Sequence, residues 1–164
     1  MFSIVVVSDR VFKGEAEDES GKLMKGLLES KGFKVDYIFT VPNDPKEILR
    51  VLRKSNSKAF IFIGGTGPSP RDITLDTLEE VAWRKIPGFG EAFRMKSFEK
   101  VGAAGLISRS EMFLLYDGRV SVVIPGSLDA VKTGFELIAG IVPHLLEEAE
   151  RFEGEHKKPN VSNK

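Results

Sequence analysis

The chain has no cysteine among its 164 residues, which excludes disulfide staples, thiolate nucleophiles and cysteine-based zinc or iron–sulfur centres together. Histidine is nearly as scarce. His144 sits inside an apolar helical pattern and His156 in a polar stretch, and neither has the neighbours of a transition-metal site. Net charge is also missing, with 24 basic residues against 24 acidic ones, so no global field draws a nucleic acid or an anionic membrane. The apolar start MFSIVVVSDR is too short to span a bilayer. It lacks a basic lead and a small-residue cleavage site, and reads as a first buried strand. A cytoplasmic location is expected, with neither nucleic acid nor membrane as partner.

What is present is globular. Hydrophobic residues make up 41% and charged residues 29%, enough apolar surface for one domain with a core of its own. That domain is read as residues 1–151, followed by a polar tail over 152–164.

The apolar periodicity gives the order of elements. Phe2 to Val7 is a continuous β-branched run, the pattern of a strand covered on both faces. A helix is predicted over 20–31, with Leu23, Met24, Leu27 and Leu28 on one stripe and Gly32 as its stop. Val35, Tyr37, Phe39 and Val41 alternate, as on a strand nearer an edge. A second helix is predicted over 45–54, and 59–63 is another fully apolar strand. Strand, helix, strand, helix, strand at these lengths requires parallel pairing with helices packed on the sheet. Further helices are predicted from near Thr74 and, after a break at Pro87-Gly88, over 89–100. Residues 113–116 and 120–124 flank Asp117-Gly118, a two-residue hairpin signal. In the last helix, Pro143 predicts a kink or restart. The expected fold is a three-layer α/β sandwich: a mostly parallel sheet, helices on both faces and a small β-hairpin.

Ligands of an open α/β sheet lie beyond the carboxyl ends of its strands. The segments there are Ser8-Asp9-Arg10, Pro42-Asn43-Asp44, Gly64-Gly65-Thr66-Gly67 and Pro125-Gly126-Ser127. Glycines after a strand let the backbone approach a ligand and aim successive N–H groups at an anion. The Gly-Lys-Ser/Thr ending of a P-loop is absent, and Pro70 occupies the place of a third dinucleotide-binding glycine. From the glycines alone, an anion loop and a ligand-free turn stay equally open. Asp72 and Thr74 follow closely. A carboxylate there repels phosphate unless a cation bridges them, which suits magnesium bound to a nucleotide; both residues could equally cap the next helix. Asp9 and Asp44 offer further carboxylates, though each is also an ordinary turn residue. Glu91 and Arg94 form a candidate second wall or a surface pair. Ser108-Arg109 offers a guanidinium for phosphate. Pro125, Gly126 and Ser127 lie at the positive end of the last helix, where Ser127 also reads as a cap.

At these residues the chain resembles the molybdopterin adenylyltransferase family of the Mog/MoaB type. The matching segments are SDR at 8–10, DESG at 18–21, GGTGPSPRDIT at 64–74, PGFGEAFR at 87–94, LISR at 106–109 and IPGS at 124–127. The resemblance implies a trimer, or a hexamer built from trimers, that binds molybdopterin and ATP with Mg²⁺. Its reaction would transfer AMP to the terminal phosphate of the pterin and release pyrophosphate. On that basis Gly64, Gly65, Thr66 and Gly67 are assigned to phosphates, and Asp72 to magnesium and the transfer step. Ser108, Gly126 and Ser127 are assigned to the pterin phosphate side, with Pro125 beside them a binding candidate. Ser8, Asp9 and Thr74 are further binding candidates, and Glu91 and Arg94 shape the pocket. The sequence departs from the family at Asn43, where Asp commonly follows the proline. Asp44, one residue later, is the candidate substitute in catalysis and metal binding, beside Asn43 itself. Leu75 stands where proline is frequent, which bears on helix initiation. A pterin-binding carrier without transfer activity, or an oligomeric scaffold of the same fold, is the alternative. Other cofactor-assembly proteins are possible partners.

Overall fold

The computed structural model describes residues 1–152 and 154. The polar tail and His156 therefore lie almost wholly outside the described residues. Six strands form one sheet: β1 (Phe2–Val7), β2 (Val35–Val41), β3 (Ala59–Ile63), β4 (Ala82–Ile86), β5 (Glu111–Leu115) and β6 (Val120–Ile124). Their spatial order is β2-β1-β3-β6-β5-β4. The pairs β1–β2, β1–β3 and β3–β6 are parallel, whereas β5 runs antiparallel to both neighbours. The helices are α1 (Asp9–Phe12), α2 (Ser20–Ser30), α3 (Pro45–Lys54), α4 (Thr74–Glu79), α5 (Pro87–Val101) and α6 (Leu128–Ala149), with a 3-10 turn at Gly102–Leu106.

Strand periodicity builds the layers. Phe2, Ile4 and Val6 point into one core with Met24 and Leu28 of α2, Phe89 and Phe93 of α5, and Phe135 and Ile138 of α6. Val5 and Val7 point into the other, against Ile48 and Leu52 of α3 and Leu75 and Leu78 of α4. Alternation along a single strand thus feeds helices on both sides, and the three-layer α/β sandwich is the observed architecture. One polar residue interrupts the first strand: Ser3 is fully buried, and its hydroxyl bonds those of Ser55 and Ser57 at 2.9 and 2.8 Å. Among the described residues no helix is long and apolar enough to cross a membrane.

Three local expectations are corrected. Pro87 is the first residue of α5, where its missing N–H has no intrahelical partner to lose, so Pro87-Gly88 opens the helix rather than breaking before it. Of the kink or restart expected at Pro143, the restart does not occur: α6 runs continuously over 22 residues. The hairpin connection is longer than two residues: the Leu115 N–H donates to Arg119 O at 2.8 Å, and Gly118 closes the turn at φ +84°. An edge strand, β4, was not anticipated. Its AWRKI sequence lacks apolar alternation, and it exists by pairing with β5 through a register shift between Ala82 and Arg84.

Candidate functional site

The carboxyl ends of β1, β2, β3 and β6 meet through backbone ties. Ser8 N–H donates to Val41 O at 3.0 Å and Gly64 N–H to Ile124 O at 2.9 Å. Asp9 Oδ1 accepts the Asn43 N–H at 2.9 Å, joining the exits of β1 and β2. The bond from that amide, then one from the Asn43 side chain, holds the Asp9 carboxyl below its ordinary range. Ser8 caps α1 through Val11 N–H, Asp44 caps α3 through Lys46 N–H, and Ser127 caps α6 through Ala130 N–H.

The glycine loop adopts the shape that needs glycine. Gly64 and Gly65 have φ of +112° and +72°. A Cβ on Gly64 would strike the Val7 carbonyl, and one on Gly65 would strike the Thr74 hydroxyl. Thr74 is fully buried beneath the loop, and its Oγ1 has no hydrogen-bond partner. Gly67 makes room for a carboxylate: a Cβ there would lie 2.6 Å from Asp72 Oδ2. That oxygen accepts the Ser69 N–H at 3.0 Å, while Asp72 N–H returns a bond to Ser69 O.

Two hollows flank the loop. One, of about 380 Å³, has an apolar wall that includes Phe93, Val101, Ile107 and Ala130, with Thr66, Gly67 and Ser108 at the loop side. Lys100 also lines it, its Nζ donating to Thr133 Oγ1 at 2.8 Å. The other, also about 380 Å³, is bounded by Ser8, Gly64, Gly126 and the acidic run Glu17, Asp18 and Glu19. Ser127 lines both. Residues 64–67 therefore lie between an apolar compartment and a polar one.

The sequence model described as "Probable molybdopterin binding domain" matches residues 3–146. The chain belongs to this molybdopterin-binding family. It is 39% identical over 154 residues to the molybdopterin adenylyltransferase of Pyrococcus furiosus, covering 90% of each chain. It is 31% identical to the "Probable molybdopterin adenylyltransferase" of Methanocaldococcus jannaschii, covering 88% of this chain and 91% of that protein. Among solved structures, the tungsten cofactor synthesizing protein MoaB from P. furiosus superposes with a TM-score of 0.85 at 38% identity, over 92% of this chain and 96% of that one.

Within this molybdopterin-binding domain, most of the sequence-derived candidates share the carboxyl end of the sheet just described. Ser8, Gly64, Gly126 and Ser127 border the polar recess, and Thr66, Gly67, Ser108, Pro125 and Ser127 border the apolar cavity. Gly65 and Asp72 stand in the loop between them, while Asp9, Asn43 and Asp44 form the neighbouring exit. Thr74 is placed under the loop. Glu91 is exposed and lines neither hollow. Arg94 turns to Glu111 rather than Glu91, donating to Glu111 Oε1 at 3.0 Å and to the Ser110 carbonyl at 2.8 Å. Arg109, expected to offer its guanidinium to phosphate, instead binds protein: Nε to Gly67 O at 3.0 Å, Nη2 to Asp72 O at 2.7 Å, and both Nη groups to the Asp76 carboxylate.

Sequence reasoning missed Glu111, buried with Oε2 unpartnered, and the Lys100–Thr133 pair inside the cavity. Both pairings span many residues of chain, 17 and 33 apart, and neither follows a local periodicity.

Proposed function

We propose that this domain is a molybdopterin adenylyltransferase of molybdenum or tungsten cofactor biosynthesis. The observation that carries the reading is the position of residues 64–67 between an apolar hollow and a polar one. A substrate with a flat ring system and a terminal phosphate fits across that boundary, ring on the apolar side and phosphate at the loop. In the reaction a terminal phosphate oxygen of molybdopterin attacks the α-phosphorus of ATP. A P–O bond forms, the bond to the bridging oxygen breaks, and pyrophosphate leaves with that electron pair. The nucleophile belongs to the substrate, so a chain without cysteine needs only to position the groups and stabilise charge.

Gly65, Thr66 and Gly67 serve as phosphate-facing backbone, the Gly64 N–H being given to Ile124 O, with Ser127 between the two hollows and Ser108 on the cavity wall. Among the described residues no three His, Asp or Glu side chains converge on one point. Magnesium would accordingly sit on one or two carboxylates and complete its shell with phosphate oxygens and water, as it commonly does. Asp72 fits that role beside Gly67, with Asp44 as the second carboxylate; the ion would neutralise the triphosphate. Asn43 contributes an amide tied to Asp9 rather than a charge. We place the protein in the cytoplasm as a homotrimer or a hexamer of trimers. Met95, Phe98, Val101 and Leu106 are each about half exposed or more, and this apolar surface supports self-association.

The test is to mix the protein with MgATP and molybdopterin and measure adenylylated pterin and pyrophosphate. Product is expected, and Asp72→Ala is expected to abolish it while leaving the fold intact. Pterin binding without product would replace this reading with that of a carrier.

A further inference from the structure

We infer that Arg109 is the positioning residue of this site: it holds segment 66–76 in the shape that receives a phosphate and meets no ligand itself. The inference rests on the proposed function for the identity of the ligand, and on the geometry for everything else.

A guanidinium carries five N–H groups, and Arg109 commits four of them to its own chain. Nε and one Nη N–H take the Gly67 and Asp72 carbonyls, and the Nη groups fork onto Asp76 at 2.8 and 3.1 Å. Two-point binding of a phosphate needs two free N–H groups on one side of the fork, and only one N–H is left. A fifth tie is made by the backbone, where Arg109 N–H donates to Thr66 O at 3.0 Å. Among the described residues all peptide bonds are trans, so the N–H of Gly67 points opposite to the bound Thr66 carbonyl. The clamp thus turns carbonyls inward on both sides of the Pro68–Pro70 bend and leaves the Gly67 amide facing away from it.

Asp76 and Arg109 act on each other as this arrangement requires. The Arg109 bond holds the Asp76 carboxyl below its ordinary range, and Asp76 raises the guanidinium further. Behind the clamp the chain is gripped from α5. Arg94 holds the Ser110 carbonyl and the Glu111 carboxylate, and Gly90 lets α5 approach so closely that a Cβ would lie 2.5 Å from Ser110 O. Ser108, one residue before the clamp, lines the apolar cavity. Segment 108–111 therefore connects the cavity wall, the glycine loop and α5.

The experiment compares Arg109→Ala, Arg109→Lys, Asp76→Asn and the Asp76→Asn/Arg109→Ala double variant. MgATP affinity is read by calorimetry, and amide exchange of residues 64–76 is read without nucleotide. Losing charge-assisted bonds of this kind predicts that Arg109→Ala weakens MgATP about tenfold or more. Arg109→Lys should resemble Arg109→Ala, because one ammonium cannot span three acceptors. Asp76→Asn should weaken MgATP in the same direction, and the double variant should be no worse than Arg109→Ala alone. A direct phosphate contact gives the opposite sign: Asp76→Asn would free the guanidinium and tighten MgATP, and Arg109→Lys would keep wild-type affinity. Either result overturns the proposal. Asp76 is exposed, so its variant reports even where Arg109→Ala fails to fold. If the wild type binds no MgATP, the proposed function fails and the exchange data decide. Faster exchange of 64–76 in Asp76→Asn and Arg109→Ala supports the clamp, and unchanged exchange refutes it.

Discussion

Replacing Gly65 with alanine tests whether the loop shape is imposed by the backbone beneath it. Two costs follow from the structure. At φ +72° a Cβ costs about 1 kcal/mol in the left-handed region. The same Cβ collides with the hydroxyl of buried Thr74, and forcing atoms into a packed site adds about 1–3 kcal/mol. Gly65→Ala is therefore expected to lose about 3 kcal/mol, measured as a lower midpoint in urea unfolding at unchanged slope. Thr74→Ala removes a hydroxyl that has no partner, so its cost is confined to lost packing, about 1 kcal/mol. Combining the two should recover about 1–2 kcal/mol relative to their sum, because the clash with the hydroxyl disappears while the backbone cost and a 3.0 Å approach to the residue-74 Cβ stay. A Gly65→Ala protein within about 0.5 kcal/mol of wild type, or a double variant whose losses simply add, would refute the account of this loop.

Asp44 separates a cap from a ligand: Asp44→Ala should lose about 1 kcal/mol from α3, whereas Asp44→Asn, an equally good cap, should keep its stability. If turnover nevertheless falls in Asp44→Asn, the carboxylate charge serves the reaction; equal turnover in wild type and Asp44→Asn would remove Asp44 from the metal assignment. Gly90→Ala should cost about 1–3 kcal/mol by pushing α5 off Ser110 and Glu111, and a thermal midpoint equal to wild type would contradict the close approach. Asp9 has a depressed folded-state pKa, so the stability it contributes is present at neutral pH and is lost as pH falls through a value below 3.8. Its carboxyl resonance in an NMR titration should have its midpoint below that value, and a midpoint at or above it would break the tie to Asn43.

The middle of the sheet was legible because β1, β3, β5 and β6 are buried on both faces. A run such as AFIFI or FSIVVV has few other ways to satisfy its side chains, and parallel pairing followed from the helix-length crossovers. The edge strand β4 was not legible, since Trp83, Arg84 and Lys85 carry no apolar alternation and only pairing with β5 makes them a strand. At the site, the glycines, Asp72 and the capping serines were readable because turn chemistry is local. The partners of Arg94 and Arg109 were not. A guanidinium followed by serine reads the same whether it meets a phosphate or a carbonyl, and the choice is made by a loop about 40 residues earlier, through Gly67.

The strand order also governs the chain as it is made. β3 receives its second neighbour only from β6, Ala59 pairing with Val120 and Ile63 with Ile124. Until residues 120–124 leave the ribosome, the three-stranded sheet β2-β1-β3 carries a bare edge made of AFIFI, besides the outer edge of β2, which has no partner strand in the finished sheet of the described residues. Such an edge is a template for pairing with other chains. Synthesis halted between 63 and 120 should thus yield a sticky nascent product, and the hairpin whose Ile124 carbonyl receives the Gly64 N–H is also the part that covers this apolar edge.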